Sequence, residues 1–182
     1  MARIGPGDVA LTMADLRVVT RFTAGCAAEV LPLFDDPGDD RPRAALDAAR
    51  VFADGAERSR RQRVTAVGAA RAARTARTPP GRHAALAAAD AAASAYLHPL
   101  AKATQVGHIL RAAAHAAHAV ELAGGDAPRG GDAHLARVLL CATPELVDVL
   151  CRYPRAPTGR SRVAALMSGL DDALRSREDH GR

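Results

Sequence analysis

Residues 81–123, GRHAALAAADAAASAYLHPLAKATQVGHILRAAAHAAHAVELA, decide the fold class of this chain. Alanine dominates the stretch, and alanine has the highest helix propensity of all residues. His98-Pro99 interrupts the pattern, because the residue before a proline is pushed out of the helical region. The stretch therefore predicts two consecutive helices, roughly Gly81 to Tyr96 and Pro99 to about Ala123, and Gly124-Gly125 ends the second.

The rest of the chain has the same character. Of its 182 residues 48% are hydrophobic, but only 3% are aromatic and none is tryptophan. The β-branched and aromatic residues that strands prefer are scarce, and the length suits one domain. The sequence predicts an all-α, single-domain multi-helix bundle of about seven to eight helices over residues 1–182. The ends, 1–10 and 178–182, are expected to be flexible.

Capping residues and prolines place the other helices. Thr12 and Asp15 form a capping-box pattern for a first helix that ends near Pro32. Asp40 and Pro42 begin a second helix, and Gly55 ends it. The remaining helices are expected at about 57–77, 132–141, 143–152 and 161–177.

The third helix has two chemically different faces when its residues are placed at about 100° per residue. Small residues share one face: Thr65, Ala66, Gly68, Ala69, Ala72, Ala73 and Ala76. Arginines share the other: Arg60, Arg63, Arg71, Arg74 and Arg77. We expect the small face to pack closely on a neighbouring helix. The arginine face is expected to be solvated or to hold an acidic partner.

The fifth helix carries histidines opposite an apolar stripe. The apolar stripe consists of Val106, Ile109, Ala113, Ala116 and Val120, and the opposite side of Thr104, His108, Arg111, His115 and His118. Histidine titrates near neutral pH and can act as a general acid or base. Two interpretations remain open, since a polar stripe is also what any surface helix shows. The histidines are either a solvated helix face or the lining of a pocket.

If a pocket exists, its chemistry is acid–base catalysis on a small organic molecule, such as a dehydration, isomerisation or cyclisation. The catalytic candidates are His108, His115, His98 and Tyr96, and the ligand-binding candidates are Thr104, Gln105, Arg111 and Lys102. In that scheme His108 or His115 removes a proton, and Tyr96 or Arg111 stabilises a developing oxyanion.

Metal and cofactor signatures are missing from the sequence. There is no P-loop, no G-x-G-x-x-G after a strand, no G-x-S-x-G and no H-E-x-x-H. Arg111 would repel a cation from the histidine stripe, and Glu121 is expected to point further round the helix. We therefore predict no metal and no cofactor.

The cysteine and hydropathy patterns bear on location. Cys26, Cys141 and Cys151 are an odd number without C-x-x-C spacing, which indicates reduced thiols and a cytoplasmic protein. Cys26 and Cys141 lie in apolar patterns and are expected in the core. No segment is apolar over the length of a membrane span, and Met1 to Leu11 lacks the apolar region of a signal peptide.

The chain has 25 basic and 20 acidic residues, which gives a net charge of +5. Such an excess indicates either an anionic partner or a genome rich in arginine codons. No aromatic residues are interleaved with the arginines for base stacking, which disfavours nucleic acid as the partner. The alanine-rich faces leave room for a homodimer, although no heptad seam specifies one.

Three stretches resemble a known family: residues 11–22 (LTMADLRVVTRF), 94–110 (SAYLHPLAKATQVGHIL) and 153–162 (YPRAPTGRSR). They are similar to the Imm-5-like immunity proteins of bacteria, and the similarity extends from about residue 11 to about residue 175. The resemblance implies a small helical cytoplasmic protein that neutralises a toxin-like protein by binding it. It brings no established catalytic residues with it.

The sequence thus supports two hypotheses: a protein that binds a partner or ligand, and a cofactor-independent enzyme with a histidine-lined pocket. The surroundings of His108 and His115 discriminate between them. A closed cavity around both rings would favour the enzyme.

Overall fold

The computed structural model describes residues 7–125 and 128–179. Within these ranges the chain forms eight α-helices and no β-strand, so the predicted all-α single-domain bundle is confirmed. The helices are α1 (Met13–Val30), α2 (Arg41–Ala53), α3 (Arg60–Thr75), α4 (Pro79–Ser94), α5 (Val106–Ala123), α6 (Pro128–Cys141), α7 (Pro144–Cys151) and α8 (Arg162–Asp179). No helix in the described part of the chain is both long and apolar enough to cross a membrane. Of the ends predicted to be flexible, residues 1–6 and 180–182 lie outside the described residues.

Side-chain caps set most helix starts. The Thr12 hydroxyl accepts from the Asp15 backbone N–H at 3.1 Å, and Asp15 accepts from the Thr12 N–H at 2.7 Å, so the predicted capping box is formed. Helix α3 begins later than expected because Ser59 forms a capping box with Gln62. Asp40 precedes α2 as predicted, but its side chain makes no capping hydrogen bond.

Helix α5 begins at Val106, after a short 3₁₀ turn, and not at Pro99 as expected. The residues between them bond to other parts of the chain. The His98 N–H donates to the Gln105 side chain at 3.0 Å, and the carbonyl of Pro99 accepts from the Val9 N–H at 2.6 Å. These tertiary hydrogen bonds replace the helical ones that the sequence pattern suggests.

The stretches that carry the family resemblance meet at this loop. The hydroxyl of the buried Tyr153 donates to the His98 carbonyl at 2.9 Å. Next to it, Arg152 donates to the carbonyl of Ala10 at 2.8 Å and contacts the Asp15 carboxylate at 3.1 Å. The loop after α4 is therefore held between the N-terminal segment and the end of α7.

Helix α5 lies at the centre of the bundle and contacts α1, α4, α6 and α8. Its apolar stripe is buried, as expected, but alanines on its other sides are buried too. The histidine-bearing side packs against α4, where the alanines allow the two backbones to approach closely. His115 and His118 therefore lie at an internal helix–helix contact, with side chains 12% and 18% exposed, rather than on an open surface.

Candidate functional site

A pair of histidines bridges α4 and α5. Nδ1 of His83 and Nδ1 of His115 are 2.8 Å apart, so one ring must donate a proton to the other. Nε2 of His115 lies 3.7 Å from a carboxylate oxygen of Asp90. That negative charge favours the tautomer in which His115 keeps its proton on Nε2 and His83 donates.

Asp90 is buried on α4 and forms an ion pair with Arg111 of α5. Nε of Arg111 donates to the two carboxylate oxygens at 2.9 and 3.0 Å, and a terminal nitrogen donates at 2.6 Å. Burial raises the pKa of Asp90, and the hydrogen bonds from Arg111 oppose that rise. A Cβ at Gly107 would lie 3.1 Å from the guanidinium, so the small residue gives Arg111 room.

A second set of polar contacts continues from the other side of His83. Its ring packs edge-on against His118, with centroids 4.5 Å apart. Nδ1 of His118 donates to Glu121 at 2.9 Å, and Arg162 at the start of α8 forms an ion pair with the same carboxylate. Burial acts to raise the pKa of Glu121, but hydrogen bonds from Arg162 and His118 outweigh it and lower the pKa.

These contacts form one polar network that joins α4, α5 and α8. Its members are His83, Asp90, Arg111, His115, His118, Glu121 and Arg162. The network also approaches α6 closely: a Cβ at Gly131 would clash with the side chain of Glu121, so only glycine fits there without movement. Glu121 contacts His118, contrary to the expectation that it points away.

The central histidines are neutral at physiological pH. Burial lowers the pKa of His83 to about 4, with further contributions from the charges of His115, His118 and Arg82. Burial, followed by the charge of Arg111, lowers the pKa of His115 to about 3. Neutral rings can accept and share protons, so His83 and His115 can pass a proton between them without holding a charge near pH 7.

His108, a catalytic candidate, lies one turn before this network. Its Nδ1 is buried and has no hydrogen-bond partner among the described residues. Burial lowers the pKa of His108, and the charge of Arg111 lowers it further, against the opposing effects of Asp90 and of a hydrogen bond to the Ala93 backbone. An unpartnered neutral imidazole nitrogen is what a general base requires, although burial restricts access to it.

Tyr96 is engaged in a structural contact at the start of α3. Its hydroxyl donates to the Ser59 carbonyl at 2.7 Å. The guanidinium groups of Arg58 and Arg63 lie 5.2 and 4.5 Å from the centre of its ring. The ring is thus held by cation–π contacts.

The other site candidates lie on the loop between α4 and α5. His98, Lys102 and Thr104 are exposed, and Gln105 is partly buried. Nδ1 of His98 accepts from the Leu100 N–H at 3.3 Å. The described contacts join none of these four side chains to His108 or His115, whereas they do join Arg111 to the polar network.

Two cavities lie along α1, away from the polar network. One of about 290 Å³ lies between α1 and the α6–α7 corner, and a smaller one of about 190 Å³ lies between α1 and the end of α2. Neither is lined by a histidine. Two cysteines line the larger one. Cys26 is buried, as expected, whereas Cys141 is exposed, so the expectation that it lies in the core is wrong.

Metal ligation has no support in the described ranges, where no group of three or more His, Cys, Asp or Glu could hold a metal ion.

The outer face of α3 forms a basic stripe. Arg60, Arg71 and Arg74 are exposed, as predicted, and the alanines on the opposite face are buried. Val64 and Val67 lie between the arginines and are 54% and 47% exposed. We call these residues together with Arg63 the Arg–Val stripe; they share an arc of roughly 100° over about 20 Å of helix.

The arginines of this stripe have no acidic partner among the described residues. Arg63 contacts the ring of Tyr96. Arg77 is not part of the stripe, because α3 ends at Thr75. The valines add an apolar component that the arginine pattern alone does not predict.

The acidic segment 35–40, by contrast, is largely used internally. Asp39 pairs with Arg41, Asp35 accepts from the Arg77 N–H at 3.2 Å, and Asp36 accepts from the Gly38 N–H at 3.2 Å. Among the described residues, the basic stripe therefore has no acidic partner, whereas three of the four carboxylates of the acidic segment are already bonded within the chain.

Comparison with protein families gives one match. A family model described as "Imm-5 like putative immunity protein" matches residues 10–138, which is well over half of the chain. The chain belongs to the Imm-5-like family. Comparison with curated proteins and with solved structures gave no match.

The Imm-5-like match confirms the resemblance drawn from the sequence, with a shorter extent. It covers α1 to α5 and most of α6, and therefore the Arg–Val stripe and every network residue except Arg162. The stretch 153–162 lies outside it.

Sequence reasoning missed two residues at the centre of the network, His83 and Asp90. Both lie on the alanine-rich α4, where a single polar residue per two turns gives no pattern. The signal that could have found Asp90 is its isolation: a lone carboxylate in an apolar helix needs a buried cationic partner.

Proposed function

We propose that this chain is an immunity-type binding protein that neutralises a protein toxin by covering it with a preformed helical surface. The observation that carries the proposal is the Arg–Val stripe on α3. Its arginines are exposed and have no ion-pair partner in the described part of the chain, and its valines are about half exposed. Arginines around a small apolar centre are a common composition for protein interfaces.

The stripe favours a partner with an acidic surface. Complementary charge speeds association and selects the partner, while the valines supply apolar area to bury. The backbone of the stripe is rigid, because the opposite alanine face of α3 packs against α2 and α4. Little ordering energy is therefore lost on binding.

The test is a growth assay with the proteins encoded beside the gene for this chain. Each is expressed alone and together with the chain, and a toxic one is expected to be neutralised by co-expression. The neutralised protein is then purified, and its binding is measured by calorimetry. If no neighbouring protein is both toxic and neutralised, the proposal is contradicted.

Charge reversal on the stripe is the decisive variant. We expect Arg71→Glu/Arg74→Glu to weaken toxin binding by about 100-fold or more, because two attractive contacts become repulsive. The matched control is Arg43→Glu/Arg160→Glu, which changes the net charge equally at exposed arginines off the stripe. The control should bind within about three-fold of the wild type. Equal losses in both variants would show that only net charge matters.

A nucleic-acid partner is the competing explanation of a basic stripe. It predicts binding to duplex DNA that weakens steeply with salt and is lost on the same reversal. We expect no such binding near physiological salt.

A second candidate is the cofactor-independent acid–base enzyme. It is favoured by the unpartnered, buried Nδ1 of His108 beside the Asp90–Arg111 pair. In this scheme His108 or His115 is the base, and Arg111 binds an anionic part of a small organic substrate. His98, Tyr96, Lys102, Thr104 and Gln105 remain predicted contributors from the preceding loop.

Any turnover found in a metabolite screen tests this second candidate. We expect it to vanish in the His108→Ala/His115→Ala variant, checked by circular dichroism for an intact fold. Turnover that persists in the folded variant would rule out these bases.

A further inference from the structure

The larger cavity beside α1 is an open cleft with an apolar wall and an acidic rim. Its volume is about 290 Å³. Val18 and Phe22 of α1 face Val138 of α6 and Leu146 of α7 across it. Glu29 and Glu145 belong to the same lining. The volume is near the lower end of the range for small-ligand sites.

Both glutamates expose their side chains at the rim of the cleft. Glu145 is exposed in the first turn of α7, where its own backbone N–H and the Thr143 hydroxyl lower its pKa. The side chain of Glu29 is 46% exposed. Burial raises the pKa of the Cys26 thiol, and the charge of Glu29 raises it further. Since Cys26 lines the cleft, the negative potential of Glu29 acts inside it.

The nearby basic groups are displaced from the acidic rim, uncharged or weakly paired. Arg21 also lines the cleft and keeps its positive charge, but its guanidinium donates to the carbonyl of Ala53 at the end of α2, so that charge lies on the α2 side of α1. His134 lies 3.6 Å from Glu29, but burial lowers its pKa and leaves it neutral. Arg137 is 4.0 Å from Glu29 and 60% exposed, which makes a weak, solvent-screened pair.

We propose that this cleft binds a small organic amine with an aromatic or aliphatic body. The body packs against Val18, Phe22 and Leu146, and the ammonium group lies at Glu29 and Glu145. This inference goes beyond the toxin-binding proposal, since the cleft is lined by α1, α6 and α7 and the Arg–Val stripe is on α3.

Gly25 provides a way to close the cleft without touching its charges. It lies within α1 and lines the cleft, and a Cβ built on it has no heavy atom within 4 Å. A side chain at this position therefore extends into open space instead of clashing. Gly25→Met should fill the cleft, whereas Gly25→Ala adds only a methyl group and is the matched control.

The test is a titration of the full chain with a small molecule near neutral pH, with binding measured by NMR or calorimetry. The probe is phenethylamine, and 3-phenylpropionate is the control of similar shape and opposite charge. We expect saturable binding of the amine, with the acid weaker by about ten-fold or more. Gly25→Met should weaken the amine by about ten-fold, and Glu29→Gln by several-fold, while Gly25→Ala should bind like the wild type.

Three outcomes would overturn the proposal: no saturation with phenethylamine up to about 10 mM, binding of the acid as tight as that of the amine, or unchanged binding in both Gly25→Met and Glu29→Gln. Glu29→Gln replaces a half-exposed side chain and keeps its shape, so it remains a valid test if Gly25→Met fails to fold.

Discussion

Replacing Asp90 by alanine is expected to destabilise the protein by about 3 kcal/mol, because it leaves the Arg111 guanidinium without its buried counter-ion. The carboxylate accepts three hydrogen bonds from Arg111 and lies 3.7 Å from His115. The side chain of Arg111 is 43% exposed and can turn towards water, which keeps the loss at the lower end of the range for buried ion pairs. Urea unfolding followed by circular dichroism measures the change.

Two comparisons give this result its meaning. Asp47→Ala removes the exposed partner of Arg50, 4.0 Å away, and should cost less than about 0.5 kcal/mol. Asp90→Leu combined with Arg111→Met removes both charges and should recover most of the stability, since an apolar pair avoids desolvation. If Asp90→Ala costs no more than Asp47→Ala, the buried pair is not a stabilising contact.

The second large effect is a loss of stability in mild acid, at pH values above those at which ordinary carboxylates titrate. We expect the free energy of unfolding to fall by about 3 kcal/mol between about pH 7 and about pH 5. The pKa of His83 is about 4 and that of His115 about 3 in the folded protein, against an ordinary value of 6.5. The unfolded chain therefore binds protons in this window while the folded chain does not, and stability decreases as the pH falls.

The charges around the pair act in both directions. Arg82, Arg111 and His118 oppose protonation of the pair, while the carboxylates of Asp90 and Glu121 lie on either side of it. The raised pKa of Asp90 works in the opposite sense, because protonation of that carboxyl favours the folded state at lower pH. Restricting the measurements to pH values above about 5 keeps the contribution of Asp90 to the measured change in stability small.

Urea midpoints at several pH values test the acid effect. His83→Leu/His115→Met should flatten the dependence of stability on pH, because no buried imidazole remains at the contact. His98→Gln, at an exposed histidine, is the control and should leave the slope as in the wild type. A wild-type slope that persists in the His83/His115 variant would place the acid sensitivity elsewhere, for example at His108 or His134.

The sequence by itself determined the helical architecture. Alanine-rich segments with caps such as Thr12 and Thr143 specify helices locally, since caps and propensities act within one turn. For the same reason the arginine face of α3 was predictable from spacing alone. The start of α5 was not, because residues 98–102 bond to Val9, Tyr153 and Gln105, and two of these are distant in sequence.

Only the tertiary structure decided what the histidines of α5 face. Helical spacing placed His108, His115 and His118 on one side of the helix, but it could not show that α4 covers that side. The burial of this side, the contact with His83 and the ion pair of Asp90 with Arg111 depend on which helices pack together. Packing of two alanine-rich faces is set by the whole bundle, and a periodic pattern in one helix carries no information about its neighbour.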